Sequence, residues 1–201
     1  MELTKKSKLT NMPTKNIAVF DFDGTLIKGD SIKLYCKWLS KNIIDFLLTY
    51  HFRFRFLKIF NSNFDLKYER VKFYNLRQIK LNQNIIEFNS ILKDYLFEDS
   101  LDLIKNDLSN LDVYVVSASF SEIIESFCLE FLKVKLITNN IENYNTLNDI
   151  NFKNKIIALK SNVKGNDNIV RGYGNSKGDF DFMRISEKAF LRLQNGECIR
   201  W

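Results

Sequence analysis

The chain has 201 residues, 45% of them hydrophobic and 14% aromatic, enough to bury the core of one domain or of a domain with an insertion, which excludes a disordered chain. Lys and Arg number 30 against 24 acids, and the net charge of +6 favours anionic partners without choosing among them. Cys36, Cys128 and Cys198 are odd in number and far apart, which argues against a disulfide framework or a zinc site. The polar start Met1-Glu2-Leu3-Thr4-Lys5-Lys6 lacks the apolar core of a signal peptide, so a cytoplasmic setting is expected.

Residues 1–15 read as a polar lead-in. The apolar run Ile17–Phe22 then reads as a buried strand that delivers Asp21 and Asp23 onto a turn at Gly24. Residues 30–99 carry no Pro or Gly and read as all helix. Such a block is too long for an ordinary crossover, so a helical insertion above the sheet edge is expected, placed to act as a lid. Within it, Ile43–Phe60 is apolar but interrupted by Asp45, His51, Arg53, Arg55 and Lys58, too many charges for a membrane span. It reads as an amphipathic helix with Leu47, Tyr50, Phe54 and Leu57 on one face and His51, Arg55 and Lys58 on another. Arg53, Arg55 and Lys58 beside Phe52, Phe54 and Phe56 suit either an anionic lipid surface or a solvated helix face. His51 is the only histidine, so no His-based catalysis is available.

Three further buried runs follow: Val113–Ser117, Val134–Thr138 and Asn168–Tyr173. Helical patterns over Ser121–Leu132 and Asn154–Asn162 separate them, and Ser119 with Glu122 reads as a capping box. Continuous apolar strands alternating with helices predict a Rossmann-like, doubly wound parallel α/β sheet covered on both faces. Gly24, Gly29, Gly172, Gly174 and Gly178 cluster at the ends of the first and fourth runs, where ligands of such sheets bind.

Two carboxylates at one strand end repel each other unless a cation or an anionic transfer uses them. Together with a backbone carbonyl, Asp21 and Asp23 suit Mg²⁺, and one of them can attack phosphorus. Ser117-Ala118-Ser119 ends the second strand, at a helix start whose backbone N–H groups favour an anion. Lys155 opens a helix against the dipole, a placement that points to function, with Lys153 and Lys160 as rivals. Gly172-Tyr-Gly174-Asn175-Ser-Lys-Gly178-Asp179 follows the fourth strand.

These four segments, in order over about 16–183, resemble the haloacid-dehalogenase superfamily. The resemblance implies Asp21 as nucleophile and Asp23 as general acid and base. It implies that Gly24, Ser117, Ala118 and Lys155 hold the phosphoryl group. Magnesium would then sit on Asp21, the Asp23 carbonyl, Asn175 and Asp179. Asn175 stands where the family usually has an acid, so weaker metal binding is expected. Asp23 favours a phosphatase over a dehalogenase or an ion pump, because an alkoxide leaving group needs a proton. The insertion marks the type-I cap subclass, and the motif forms look most like subfamily IB, which includes phosphoserine and phosphatidylglycerophosphate phosphatases. The expected division is a core of 16–29 and 100–201 with a helical cap of 30–99. A small phosphomonoester is the expected substrate, namely a sugar, amino-acid or lipid head-group phosphate. The alternatives are a catalytically silent binding module, for which Asn175 and the charged Arg171 within an apolar strand speak, or transfer to an acceptor other than water. The basic residues are scattered and no nucleic-acid motif is present, so no nucleic-acid partner is expected.

Overall fold

A computed structural model of the chain describes residues 15–60, 65–144, 150, 154–163 and 167–201. The lead-in, apart from residue 15, and Lys153 lie outside the described residues. Six strands form one sheet: β1 (Asn16–Phe20), β2 (Asp112–Phe120), β3 (Lys135–Asn139), β4 (Asn168–Gly174), β5 (Lys188–Arg192) and β6 (Cys198–Arg200). Their order is β3-β2-β1-β4-β5-β6, with β6 antiparallel to β5 and every other pairing parallel. The four predicted runs are β1 to β4. β1 lies centrally because both its faces are apolar: Ile17 and Val19 point to one side, Ala18 and Phe20 to the other, and all four are fully buried. Phe20, Tyr173 and Phe190 stand in register on β1, β4 and β5 and stack, with ring centroids 4.1 and 4.8 Å apart.

The sequence did not suggest β5 or β6. β5 begins and ends on charge, and its Arg192 is buried by polar partners: Nε donates to the Thr25 carbonyl (3.1 Å), while Nη1 donates to Asp99 Oδ2 (2.9 Å) and the Gly196 carbonyl (2.7 Å). A hydrophobic pattern does not reveal a buried cation of this kind.

The block between β1 and β2 is helical, but in short pieces: α1 (Ser31–Trp38), α2 (Ile43–Phe46), π-helical turns over Leu47–Arg53, α3 (Phe54–Phe60), α4 (Leu66–Leu81) and α5 (Ile85–Asp94). α6 (Ser100–Leu108) leads into β2. Polar caps make the breaks without Pro or Gly. The side chains of Asp30, Asn42, Asp65 and Asn84 accept from first-turn amides, and Asn82 closes α4 in the left-handed region at φ 49°. The single amphipathic helix expected over 43–60 is therefore corrected. Its π-helical turns hold more residues than α-helical ones, so the 3.6-residue period loses phase. Phe46, Thr49 and Phe54 are buried, whereas Leu47 and Leu57 are exposed.

Beyond β2 come α7 (Ser121–Ser126), which runs into π-helical turns at Phe127–Leu132, then α8 (Lys155–Asn162) and α9 (Phe180–Arg184). The predicted capping box is not formed. Ser119 remains in β2, α7 starts from Phe120 without a side-chain cap, and Glu122 Oε1 accepts instead from the Ile141 amide at 2.9 Å.

One apolar cluster runs from the sheet into the helical block, joining Phe20, Phe22, Val115 and Phe127 to Tyr35, Val71, Tyr74 and Phe88. Each such side chain contributes roughly 1.5–3 kcal/mol on burial, so the block is docked and not merely tethered. A second cluster, with Val19, Val116, Leu159 and Phe182, packs α8 and α9 on the other face. Among the described residues, no helix is long and apolar enough to cross a membrane.

Candidate active site

Asp21 directly follows β1, and its N–H donates to the Tyr173 carbonyl of β4 at 2.9 Å, so the sheet itself anchors the first carboxylate. Thr25 Oγ1 donates to Asp21 Oδ2 at 3.0 Å. Between them Gly24 adopts φ +74°, and a Cβ there would fall 2.0 Å from Asn175 Nδ2. Glycine is needed both for the left-handed turn and for the close approach of the β4 loop. Gly174 is equally confined, since a Cβ would meet Asp179 Cβ at 2.3 Å.

Lys155 is the first residue of α8 and is buried. Its Nζ donates to Asp21 Oδ1 and, at 2.6 Å, to Asp179 Oδ1. Lys160 is exposed, away from this contact. Burial alone would lower the Lys155 pKa, but Asp21 and Asp179 outweigh it and hold the ammonium above the ordinary lysine range. Burial pushes the Asp21 carboxyl up to about 6, with Lys155 opposing and Asp179 adding to the rise. Asp179 Oδ2 accepts from the Asn175 amide (3.1 Å), the Ser176 amide (3.0 Å) and Ser176 Oγ (2.8 Å), so this acid shapes the β4 loop while it pairs with the lysine.

Asp23 is held from the other side. Its Oδ1 accepts from the Ser31 amide at 2.7 Å and its Oδ2 from Ser31 Oγ at 3.1 Å, at the start of α1. Burial, then the neighbouring charges of Asp30 and Asp21, push its carboxyl up to about 7, against the two Ser31 bonds. Ser31 Oγ also lies 2.8 Å from Ser119 Oγ, and the Ser119 amide donates to Ser117 Oγ at 3.0 Å. Asp23, Ser31, Ser119 and Ser117 thus form one hydrogen-bonded chain from β1 to β2.

Asp21, Asp23, Ser117, Ala118, Lys155 and Asn175 line a cavity of about 460 Å³. Gly24, packed against Asn175, does not line it. Asp179 is fully buried beneath Lys155 and does not line it. A larger cavity of about 730 Å³ opens on the other side of Gly24 and Asn175, between Phe97 and the β5–β6 turn, but none of the predicted catalytic residues reaches it. The helical block supplies a further wall of the smaller cavity through Asp30, Ile32, Tyr50, Lys67 and Arg70. These were not singled out as site residues. Arg70 lies over the Tyr50 ring at 4.1 Å, and its Nε is buried without a hydrogen-bond partner among the described residues. One more cation in a helix already rich in Lys and Arg gives no sequence signal of its own. Arg171 of β4, an oddity in the sequence, ion-pairs with the buried Asp107 of α6.

Residues 18–184 match the model of the haloacid dehalogenase-like hydrolase family. The chain belongs to this family. It is by that membership a hydrolase, built on the α/β sheet described above. No curated protein sequence matches the chain. Among solved structures it is similar to a protein of unknown function from Bordetella pertussis Tohama I, with TM-score 0.56, 16% identity and 76% of each chain covered. It is also similar to a phosphoserine phosphohydrolase-like protein from Francisella tularensis subsp. tularensis SCHU S4, with TM-score 0.53 and 18% identity, covering 90% of this chain and 88% of that one.

The magnesium ion that the haloacid-dehalogenase resemblance implies can be tested against the donors. Among the described residues no three His, Cys, Asp or Glu side chains converge on a point able to hold a metal. The oxygen donors at hand are the Asp21 and Asp179 carboxylates, both bonded to Lys155, and the Asn175 amide, which lies against Gly24. Hard oxygens of this kind fit Mg²⁺, with one negative charge fewer than a set that has an acid in place of Asn175.

Proposed function

We propose that the protein is a magnesium-dependent phosphatase for small phosphomonoesters, of subfamily IB type, with residues 30–99 as a cap over a core of 16–29 and 100–201. The supporting observation is the pairing of two carboxyls in one cavity: Asp21, fixed by Thr25 and Lys155, and Asp23, pushed up to about 7 and so still substantially protonated at neutral pH. In this reading an Asp21 oxygen attacks phosphorus and the bond to the leaving oxygen breaks. Asp23 gives its proton to that oxygen. The Asp23 carboxylate then takes a proton from water, whose oxygen attacks the aspartyl-phosphate, releasing inorganic phosphate and restoring Asp21. Lys155, Ser117 and the backbone at Gly24 and Ala118 hold the phosphoryl oxygens. Asp21, the Asp23 carbonyl, Asn175 and Asp179 would hold Mg²⁺. When bound, the ion offsets charge repulsion between Asp21 and the phosphoryl group.

A cavity of about 460 Å³ suits a sugar, amino-acid or lipid head-group phosphate. The unsatisfied Arg70 favours a substrate with an anionic or carbonyl acceptor remote from the phosphate. Buried, unpaired Cys36 and Cys128 fit a cytoplasmic setting. One observation favours the silent binding module: Asn175 removes a charge from the metal set. Arg171 no longer speaks for it, because Asp107 accounts for that charge. The test is phosphate release from a panel of phosphomonoesters with Mg²⁺, comparing wild type with Asp21→Asn. Turnover lost in the variant supports the nucleophile, while equal turnover in both overturns it. Absence of turnover in both, with Mg²⁺ binding retained, favours the silent module. Product carrying the phosphoryl group in place of free phosphate marks transfer to another acceptor.

A further inference from the structure

The outward side of the 43–59 segment has a composition that its own packing does not require. Its inward side is settled, with Phe46, Thr49 and Phe54 buried and Tyr50 facing the catalytic cavity. The other side presents Ile43, Ile44, Leu48, Phe52, Phe56 and Ile59, with Phe52 67% exposed and Ile59 77%. An apolar concentration of this size on one short segment marks a surface that meets something other than water. Lys41, Arg53, Arg55 and Lys58 are interleaved with it, and all four are exposed. Neither Arg55 nor Lys58 forms an ion pair among the described residues. The only acid in the segment, Asp45, is neutralised by Arg77 at 2.6 Å.

We infer that this face docks on an anionic lipid bilayer. Charge complementarity carries the choice of partner. Apolar side chains that project between unpaired cations match a surface with anionic head groups above hydrocarbon, where the helix lies in the interface plane. A second copy of the chain is a poorer fit, because a self-complementary contact brings Arg55 and Lys58 of both copies against one another. Docking in this way holds Tyr50, and with it the cavity mouth, close to the membrane surface. The inference rests on the surface alone and stands independently of the phosphatase reading.

The test is flotation of the full chain with vesicles of phosphatidylcholine alone and of phosphatidylcholine with phosphatidylglycerol. Wild type is expected to float with the anionic vesicles and not with the neutral ones, less so at high salt. Ile44→Ser/Phe52→Ser is expected to weaken partition tenfold or more. Arg55→Glu/Lys58→Glu should weaken it by at least about fivefold per cation removed. Circular dichroism and melting on the same samples establish that both variants are folded. Failure of wild type to float with anionic vesicles overturns the inference, as does undiminished binding in both folded variants. A lipid-free dimer that Ile44→Ser/Phe52→Ser dissolves also overturns it, since the face is then covered by a second copy. Phosphate release from a soluble ester, measured in parallel, separates this outcome from that of the catalytic proposal.

Discussion

Ser31 bonds the start of the helical block directly to Asp23. It holds both oxygens of Asp23 and touches Ser119 through the same hydroxyl. Hydrogen bonds to a carboxylate favour its charged form, so they lower the Asp23 pKa against the burial that raises it. Ser31→Ala removes the Oγ bond and leaves the amide bond, so the Asp23 pKa should rise further. If Asp23 is the general acid, kcat falls as pH rises through about 7 in wild type, and this alkaline limb moves to higher pH in Ser31→Ala. The pH profile of kcat for both proteins checks it, and a shift to lower pH would remove Asp23 from the role. Gly24→Ala offers a second test. The left-handed φ and the contact with Asn175 make turnover fall by about tenfold or more, while phosphate release on a coarse substrate such as p-nitrophenyl phosphate shows whether any site survives. At this scale the sequence was readable where residues follow a strand directly. Asp21, Asp23, Ser117 and Lys155 converge because β1, β2 and α8 bring them to one sheet edge. Ser31 and Arg70 were not legible as site residues, since their places depend on how α1 and α4 pack.

The strands were legible as elements because a parallel sheet demands apolar residues on both faces, and β1 to β4 have them. β5 was not, because Arg192 replaces apolar burial with three hydrogen bonds. Helix pieces within 30–99 escaped for a different reason. Their ends are set by Asp and Asn caps in a segment already rich in Asn, so the stop signals are lost in composition. The start of α2 is tied to α4 by the Asp45–Arg77 pair. Hydrogen bonds from Arg77 and from the Lys41 amide hold the Asp45 carboxyl below its usual 3.8. A depressed carboxyl contributes stability that is fully present above its unfolded pKa and is lost as pH falls through the folded value. Arg77→Ala should therefore destabilise the chain by about 1 kcal/mol near neutrality, and the difference should shrink below pH 3.8. Urea melts of both proteins at neutral and acid pH check the direction.

Across the whole molecule, one apolar cluster spans the sheet and the helical block. Phe88 lies inside the block, edge-on to Tyr35 at 5.5 Å and beside Trp38 at 5.4 Å. Phe88→Ala should cost about 3–5 kcal/mol and lower the melting of the entire chain in one transition. Two transitions, with the second unchanged from wild type, would show that the block folds separately. The same topology governs the order of events during synthesis. Asp21 leaves the ribosome early, yet β1 pairs with β2 and β4, and the lysine and acid that neighbour Asp21 lie at 155 and 179. At roughly 5–20 residues per second, Asp21 waits on the order of ten seconds or more before its surroundings exist. Until β4 has been made, the growing chain carries a bare carboxylate on an apolar strand with one side unpaired, and a chaperone bound to that strand during the interval would delay the birth of the candidate site more than that of any other part.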